Sequence, residues 1–437
     1  MSVSRRSTRS LVGVGATLAV VFALLPASAG AKPRQVDVTP RVVVAVIDSG
    51  INPYHGYFNA GGPLYGKSRP SSVTPTVLKE FGIKKDHIIR LTRTGNFPAD
   101  FAKDKAQFEK IEKGEPYWFA GTNIIGISFE DGPPLRPDGT ASSHGIGTAA
   151  SVLGANKDAI AVAVEGTDED SEKWAFTHPA VDIITTSYGP PVPTLSNLSS
   201  SYTGVVTNGK AHFGAATNDP QYAGTDATSG PWWTIGVAGF EEGDSNGRQA
   251  RSGNVPDFVG DFTQDLPYCR SCEEGTRPVS GTSFATPRSA GTFSKVLLEA
   301  RRAAGHIGGI DDSVKGTPLL VSGKTDLTVW EMRRALEEGA YYPGSQAYTP
   351  GDPTSIPVAD QAPWYQMSWG LISPDARMKV VKETLAHLGI GGKPDGKKPQ
   401  EACDFMTANM QARRAYWERV AVLGQGFGQT EDPYIYC

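Results

Sequence analysis

Three polar residues stand where apolar segments of this 437-residue chain give out, and their types are those that nucleophilic catalysis combines. Asp48 closes the apolar run of VVVAVIDSGI, His144 lies in SSHGIGTAAS, and Ser283 lies in VSGTSFATP, just ahead of an Ala-rich segment that reads as a helix. A carboxylate can orient an imidazole, the imidazole can take a proton from a hydroxyl, and the hydroxyl oxygen can then attack a carbonyl carbon. Each residue alone also has a plainer reading. Asp before Ser-Gly caps turns, a single His near a helix start is commonly structural, and Ser before a helix is by default an N-cap. Around Ser283 the context exceeds what a cap needs. Gly281 permits a sharp backbone approach, Pro287 is read in or near the first turn, where a missing amide costs least, and free N–H groups at that helix end would stabilise negative charge forming beside the serine oxygen.

The elements that must carry these residues alternate. Residues 41–47, 159–164, 181–187, 211–216 and 232–238 are short, apolar and rich in β-branched residues, and read as buried strands. Helical segments are expected near 142–154, 171–178, 200–209, 283–304, 326–339 and 374–388. The alternation predicts an α/β fold: three αβα layers built on a mostly parallel, doubly wound sheet, with ligand chemistry gathered at the carboxyl ends of the strands. Residues 57–137 interrupt it as a long polar insertion, with one amphipathic helix expected at 99–113 and one strand at 122–129. GIGGKPDGKKPQEA (389–402) reads as a linker before a C-terminal helical extension, 403–437, with its helix at about 404–423.

Composition narrows the function classes. With 39% apolar residues, 20% charged residues and a net charge of −4, the chain can bury a sizeable core but lacks the basic excess of a nucleic-acid binder. Residues 1–31 combine a basic start (SRRSTR), an apolar core too short to span a bilayer and small residues ending at Ala29 or Ala31. These are the marks of a secretory signal removed on export, giving an extracellular protein with no mature membrane span. Arg5 and Arg6 are only a weak match to twin-arginine export. In an exported protein the four cysteines are expected to form disulfides, with Cys269–Cys272 and Cys403–Cys437 favoured among three pairings. Metal or redox use of the CxxC would need partners, and the sequence has neither a second CxxC nor a nearby His.

VAVIDSGI, SSHGIGTAAS and SGTSFATP, in that order, resemble the three active-site blocks of the subtilisin-like serine proteases. The order Asp48, His144, Ser283 is that of subtilisins and differs from those of chymotrypsin-like enzymes and α/β-hydrolases. The resemblance implies a secreted endopeptidase in which Ser283 attacks the peptide carbonyl, His144 serves as general base and Asp48 holds the imidazole. HFGAATND resembles the block that bears the oxyanion asparagine, here Asn218. TTSYGPP resembles the segment that pairs with substrate as an added strand, implying substrate contacts at Ser187, Tyr188 and Gly189, with Ala215 and Ala216 nearby. LTVWEMRRALEEGA and WYQMSWGLISPDAR resemble the closing helix and C-terminal turn, so the peptidase domain is expected over 40–388. Protein or peptide substrates, a monomer and no cofactor follow; relatives often bind structural calcium, but no calcium loop is recognisable here.

Several positions depart from the pattern. Ile146 stands where Thr is usual, Gly147 replaces a frequent His, and Thr217 replaces a Gly before Asn218. The stretch between Asp48 and His144 is longer than compact members carry. Few residues separate the signal from the first strand, so no folded inhibitory prodomain is expected there. Glu165 and DEDSE (168–172) would favour basic substrates if they faced the cleft, although acidic loop residues are usually only solvated. Two rival readings remain: a catalytically inactive subtilisin-like domain that binds proteins, and a sedolisin-like acid peptidase, against which the His-Gly pair at 144 speaks. His55 is expected to pack beneath the Asp48 turn, His178 to sit at a helix end and His212 in a strand.

Overall fold

The computed structural model describes residues 39–138, 142–188, 195–216, 218, 228–240, 256–305, 328–341, 368–396, 398 and 400–424. The expected signal segment lies outside them, as do Gly189, Thr217 and Cys437.

The sheet is organised about β1 (Val43–Asp48). On one side of it lies β5 (Ile160–Glu165), followed outward by β4 (Ile124–Ser128), β3 (Tyr117–Phe119) and β2 (Ile88–Ile89); on the other lie β6 (Ile183–Thr186), β7 (Ala211–Ala215), β8 (Ile235–Phe240), β9 (Phe258–Asp261) and, at the edge, β12 (Leu371–Ile372). All pairings are parallel except β3 with β4. A separate antiparallel hairpin joins β10 (Thr263–Leu266) to β11 (Arg277–Ser280). From β1 the chain passes to the far edge, builds inward through β2, β3 and β4 to β5 beside β1, and then crosses to β6 on the other side, so Asp48 ends a strand at the point where the winding reverses. That is where open parallel sheets place their ligand crevice.

Period-two alternation in β1 feeds two cores. Val44 and Val46 join the cluster under α3 (His144–Ala155) and α6 (Thr282–Ala304), while Val43, Ala45 and Ile47 join Ala175 and Phe176 of α4 (Glu169–Thr177) and Val77 of α1 (Pro75–Glu80). Each fully buried Val, Ile or Phe side chain among these contributes about 1.5–3 kcal/mol. The fold is therefore the three-layer α/β arrangement the alternation predicts; its five expected strands, together with the strand expected at 122–129 (β4), form the contiguous run β8-β7-β6-β1-β5-β4. The strands missed, β2, β3, β9, β10, β11 and β12, are two to four residues long and carry too little periodicity to read.

Other boundaries differ for local reasons. The helix expected at 99–113 is α2 (Phe97–Phe108), started by an Asn96 side-chain cap and burying Phe97, Phe101 and Phe108 around Tyr54. The insertion is consequently part of the body of the protein, supplying β2, β3 and β4 as well as α1 and α2. The helix expected at 200–209 begins earlier, as α5 (Leu195–Tyr202), and passes into a π-turn at Thr203–Thr207. The one expected at 374–388 is α8 (Val380–His387), because Asp375 caps a turn at Arg377 and Lys379 takes a left-handed conformation.

The helix beyond the Gly/Pro/Lys stretch is α9 (Gln400–Gly424), and its Met406, Met410 and Trp417 enter the same core as α6. Asp257, fully buried before β9, is the anchor: its Oδ1 accepts from Arg413 Nη1 of α9 at 2.7 Å and from Arg333 Nη2 of α7 (Val329–Gly339) at 2.8 Å, and its Oδ2 accepts from Gly236 N at 2.7 Å. Removing one partner of such a buried ionic set costs about 3–5 kcal/mol. Asp257→Ala is therefore expected to lower unfolding free energy by that order, read as a shifted midpoint in urea denaturation.

Candidate active site

The turn after β1 presents the Asp48 side chain toward the start of α3. Its Oδ2 lies 2.8 Å and its Oδ1 3.0 Å from His144 Nδ1. Ser49 N donates to Oδ1 at 2.7 Å and Thr148 Oγ1 to Oδ2 at 3.2 Å, so the carboxylate, 6% exposed, is solvated by the protein. His144 opens α3. Ser142 Oγ accepts from its N–H at 3.1 Å, and Ser49 Oγ links the two segments by accepting from Gly145 N at 3.1 Å and donating to the Ser142 carbonyl at 3.0 Å. Burial, the largest single influence on the imidazole, pulls its pKa down, but the Asp48 hydrogen bond and negative charge together outweigh it and raise the pKa above 6.5.

Ser283 lies in the first turn of α6. Gly281, at φ 149°, holds a conformation that L side chains rarely adopt and turns the chain from β11 into the helix. Ser283 and Ser187 are joined twice: Ser187 Oγ donates to the Ser283 carbonyl at 2.7 Å, and Ser283 Oγ donates to the Ser187 carbonyl at 3.2 Å. The first bond explains Pro287, which stands in the second turn of the helix and not the first. Its missing N–H would have served the Ser283 carbonyl, and Ser187 Oγ serves it instead. Among the described residues no hydrogen bond joins Ser283 Oγ to His144; the imidazole packs against the adjacent Phe284, ring centroids 5.3 Å apart. Asn218 is oriented through its oxygen, which accepts from Thr282 N and Thr282 Oγ1, both at 2.9 Å, leaving Nδ2 as the donor.

The segments expected to bind substrate flank these groups. Ser187 follows β6, and Ala215 and Ala216 end and follow β7, both buried. Ala216 O accepts from Thr282 Oγ1 and so ties β7 to the start of α6. The Tyr188 hydroxyl is turned away to Glu172, 2.9 Å, and its carbonyl accepts from Thr228 Oγ1 at 3.0 Å. Gly189 lies outside the described residues. Glu165, considered above as a cleft residue, is instead buried beneath the Asp48 turn, where its Oε2 accepts from Leu135 N at 2.6 Å. DEDSE is also structural in part, since Asp168 caps α4 at Ser171 N and Glu172 is buried against Tyr188. Cys269 and Cys272 are disulfide-bonded; for Cys403, the expected partner Cys437 lies outside the described residues. No group of three His, Cys, Asp or Glu side chains able to hold a metal ion occurs among the described residues.

Other histidines are occupied elsewhere. His55 caps a short 3-10 helix beneath the turn, its Nδ1 accepting from Tyr57 N. His178 ends α4 and stacks on Phe81, with burial taking its pKa down to about 4; His212, within β7 between Thr186 and Thr234, is taken by burial to about 3.

A family model described as the subtilase family, peptidase S8, matches residues 39–305. The chain belongs to the subtilase family. It is thus a serine peptidase acting on peptide substrates. Among solved structures this subtilase resembles the prenylagaramide maturation protease PagA, at 14% identity with 80% of this chain and 95% of that chain covered and a TM-score of 0.42. It likewise resembles a lanthipeptide protease, at 14% identity, 80% and 89% coverage and a TM-score of 0.46. The protease domain of PatA, solved as a point mutant, stands at 12% identity, 80% and 98% coverage and a TM-score of 0.43. No curated protein matches it.

Two of the departures, Ile146 and Gly147, can be placed in this subtilase, while Thr217 lies outside the described residues. A Cβ on Gly147 would approach Phe284 to 2.8 Å and Tyr268 to 3.0 Å, so a larger residue there would have to displace these rings, and Ile146 is wholly buried in the core. Thr148 was not singled out from sequence, although a hydroxyl one helical turn past His144 is a readable signal. Among the glycines of α3 the tightest approach is at Gly145, where an added Cβ would lie 2.4 Å from the Gly50 carbonyl oxygen. Gly145→Ala must therefore push α3 off the β1 turn, and a loss of about 1–3 kcal/mol is expected. Thermal melting of the purified variant measures it.

Proposed function

We propose that this subtilase is a secreted serine endopeptidase whose nucleophile is Ser283, with His144 as general base and Asp48 as the acid that fixes the imidazole. The observation that carries the reading is the bond from His144 Nδ1 to the Asp48 carboxylate at 2.8 Å. It commits the proton to Nδ1 and leaves Nε2 as the acceptor a hydroxyl needs. Ser283 Oγ must exchange its 3.2 Å bond to the Ser187 carbonyl for Nε2 when substrate arrives; catalytic hydrogen bonds are commonly loose before substrate binds. Attack on the scissile carbonyl then forms a tetrahedral oxyanion, which the Ser283 N–H and Asn218 Nδ2 receive. Support for the asparagine is its orientation, since both bonds to Thr282 engage Oδ1 and leave the amino group to donate. His144 passes its proton to the leaving amine, the acyl-enzyme forms, and water reverses the steps. The peptide is held as an added strand along Ser187, Tyr188 and Gly189, with Ala215 and Ala216 at the first specificity pocket. Export rests on the basic and apolar segment of residues 1–31, and the enzyme is taken to act as a monomer.

A fluorophosphonate probe should label the wild type and leave Ser283→Ala unlabelled. Absence of labelling on folded wild type would favour the inactive binding domain. In subtilisin itself, loss of the serine costs about 10⁶-fold in turnover and loss of the oxyanion amide about 10²–10³-fold; the same orders are expected for Ser283→Ala and Asn218→Ala.

The pH profile has a definite sign. Because His144 must be neutral to act as base and its pKa is raised above 6.5, kcat/KM should increase with pH through a value above 6.5 and stay high on the alkaline side. A profile with its maximum near pH 4, as for a carboxyl-based peptidase, would contradict the assignment.

A further inference from the structure

Cys269 and Cys272 close a short loop, and the side chain it carries, Arg270, is turned inward and only 7% exposed. Nη1 donates to the Ser49 carbonyl at 2.9 Å and to the Ser142 carbonyl at 3.1 Å, while Nη2 donates to the Arg136 carbonyl at 2.5 Å. Ser49 immediately follows Asp48, and Ser142 lies two residues before His144. One planar cation therefore grips both chain segments whose side chains meet in the Asp48–His144 bond. A guanidinium suits this because its donors form a rigid fork, whereas an ammonium is a compact point charge on a flexible stem.

The loop is itself fastened to the β1 turn. Asn52 Nδ2 donates to the Cys269 carbonyl at 3.1 Å and to the Cys272 carbonyl at 2.8 Å, and Asn52 Oδ1 is held by Tyr54 N at 3.1 Å. Counter-charge comes from Glu165, whose Oε1 is 3.8 Å from Arg270 Nη2 and which lies across from Asp48 in the β1–β5 register. Beyond Arg270 and the bonds of the Asp48 carboxylate itself to His144 and Thr148, the Asp48 turn and the start of α3 are tied by two bonds through Ser49 Oγ. Among the described residues no hydrogen bond or ion pair joins Arg270 to Asp48, His144 or Ser283 themselves.

We propose that Arg270 is a positioning residue that sets the spacing of the Asp48 turn and the start of α3, and with it the Asp48–His144 hydrogen bond. This rests on the catalytic roles assigned above. A displacement of about 1 Å in a catalytic constellation can cost on the order of 10²-fold.

The test compares wild type, Arg270→Gln, Arg270→Lys and Ser283→Ala. Folding is checked by circular dichroism, active sites are counted by fluorophosphonate labelling to completion, and kcat and KM are measured on one chromogenic peptide. The expected result is full eventual labelling of both Arg270 variants, with kcat per labelled site down about 10²-fold in Arg270→Gln. KM should stay near the wild-type value, and Arg270→Lys should recover only part of the loss. An unchanged kcat per labelled site in Arg270→Gln, or a raised KM with unchanged kcat, overturns the proposal. Should Arg270→Gln fail to fold, Arg270→Lys decides: a lowered kcat at constant KM supports the role, and wild-type kcat overturns it. A wild type that the probe does not label sinks the catalytic reading and this inference together, whereas a labelled wild type with an indifferent Arg270→Gln sinks this inference alone.

Discussion

A buried carboxylate governs the arrangement. Asp48 is nearly inaccessible, and a charge so placed is tolerable only when donors replace the water it has lost. Its donors are Ser49 N, His144 Nδ1 and Thr148 Oγ1, two of them from a helix that begins almost a hundred residues later in the chain. The carboxylate is therefore satisfied only when α3 starts directly on the β1 turn. Glycine at Gly145 is what lets the two backbones approach that closely, while Gly50, at φ 97°, turns the chain over the Glu165 side chain. Stability of the charge and alignment of the imidazole are thus one requirement.

The serine is placed by a second set of contacts that meets the first through helix packing. α6 lies against α3 where both carry small residues; an added Cβ on Gly291 would lie 2.5 Å from the Val152 carbonyl oxygen. Pro287 removes one backbone bond from α6, and the reciprocal pairing of Ser187 with Ser283 makes good the loss while tying the end of β6 to the first turn of α6. Asn218 and Ala216, beyond β7, hold Thr282 from the other side. Strand ends, not loops alone, thus supply the acid, the serine's support and the asparagine, in keeping with a site on the carboxyl edge of a parallel sheet.

Much of this was legible in order along the chain. Apolar runs with β-branched residues marked the five central strands, and the three blocks around Asp48, His144 and Ser283 carried enough local chemistry to be singled out. Gly281 was readable because a turn into a helix needs a conformation that few residues accept. Short edge strands were not readable, nor was the integration of the insertion and of α9 into the common core, because pairing at an edge and burial of one helix face depend on partners far away in sequence.

The sequence by itself determined which residue types are available for the chemistry, the family they resemble and the winding that brings strand ends to one edge. Only the tertiary structure decided which polar groups share a bond: Thr148 with Asp48, Ser187 with Ser283, Arg270 with the carbonyls of Ser49 and Ser142, and Glu165 beneath the turn in place of the cleft. The reason is physical. Local propensity and periodicity act over a few residues, whereas a hydrogen bond between side chains separated by a hundred or more positions exists only after the core has packed and brought them within about 3 Å.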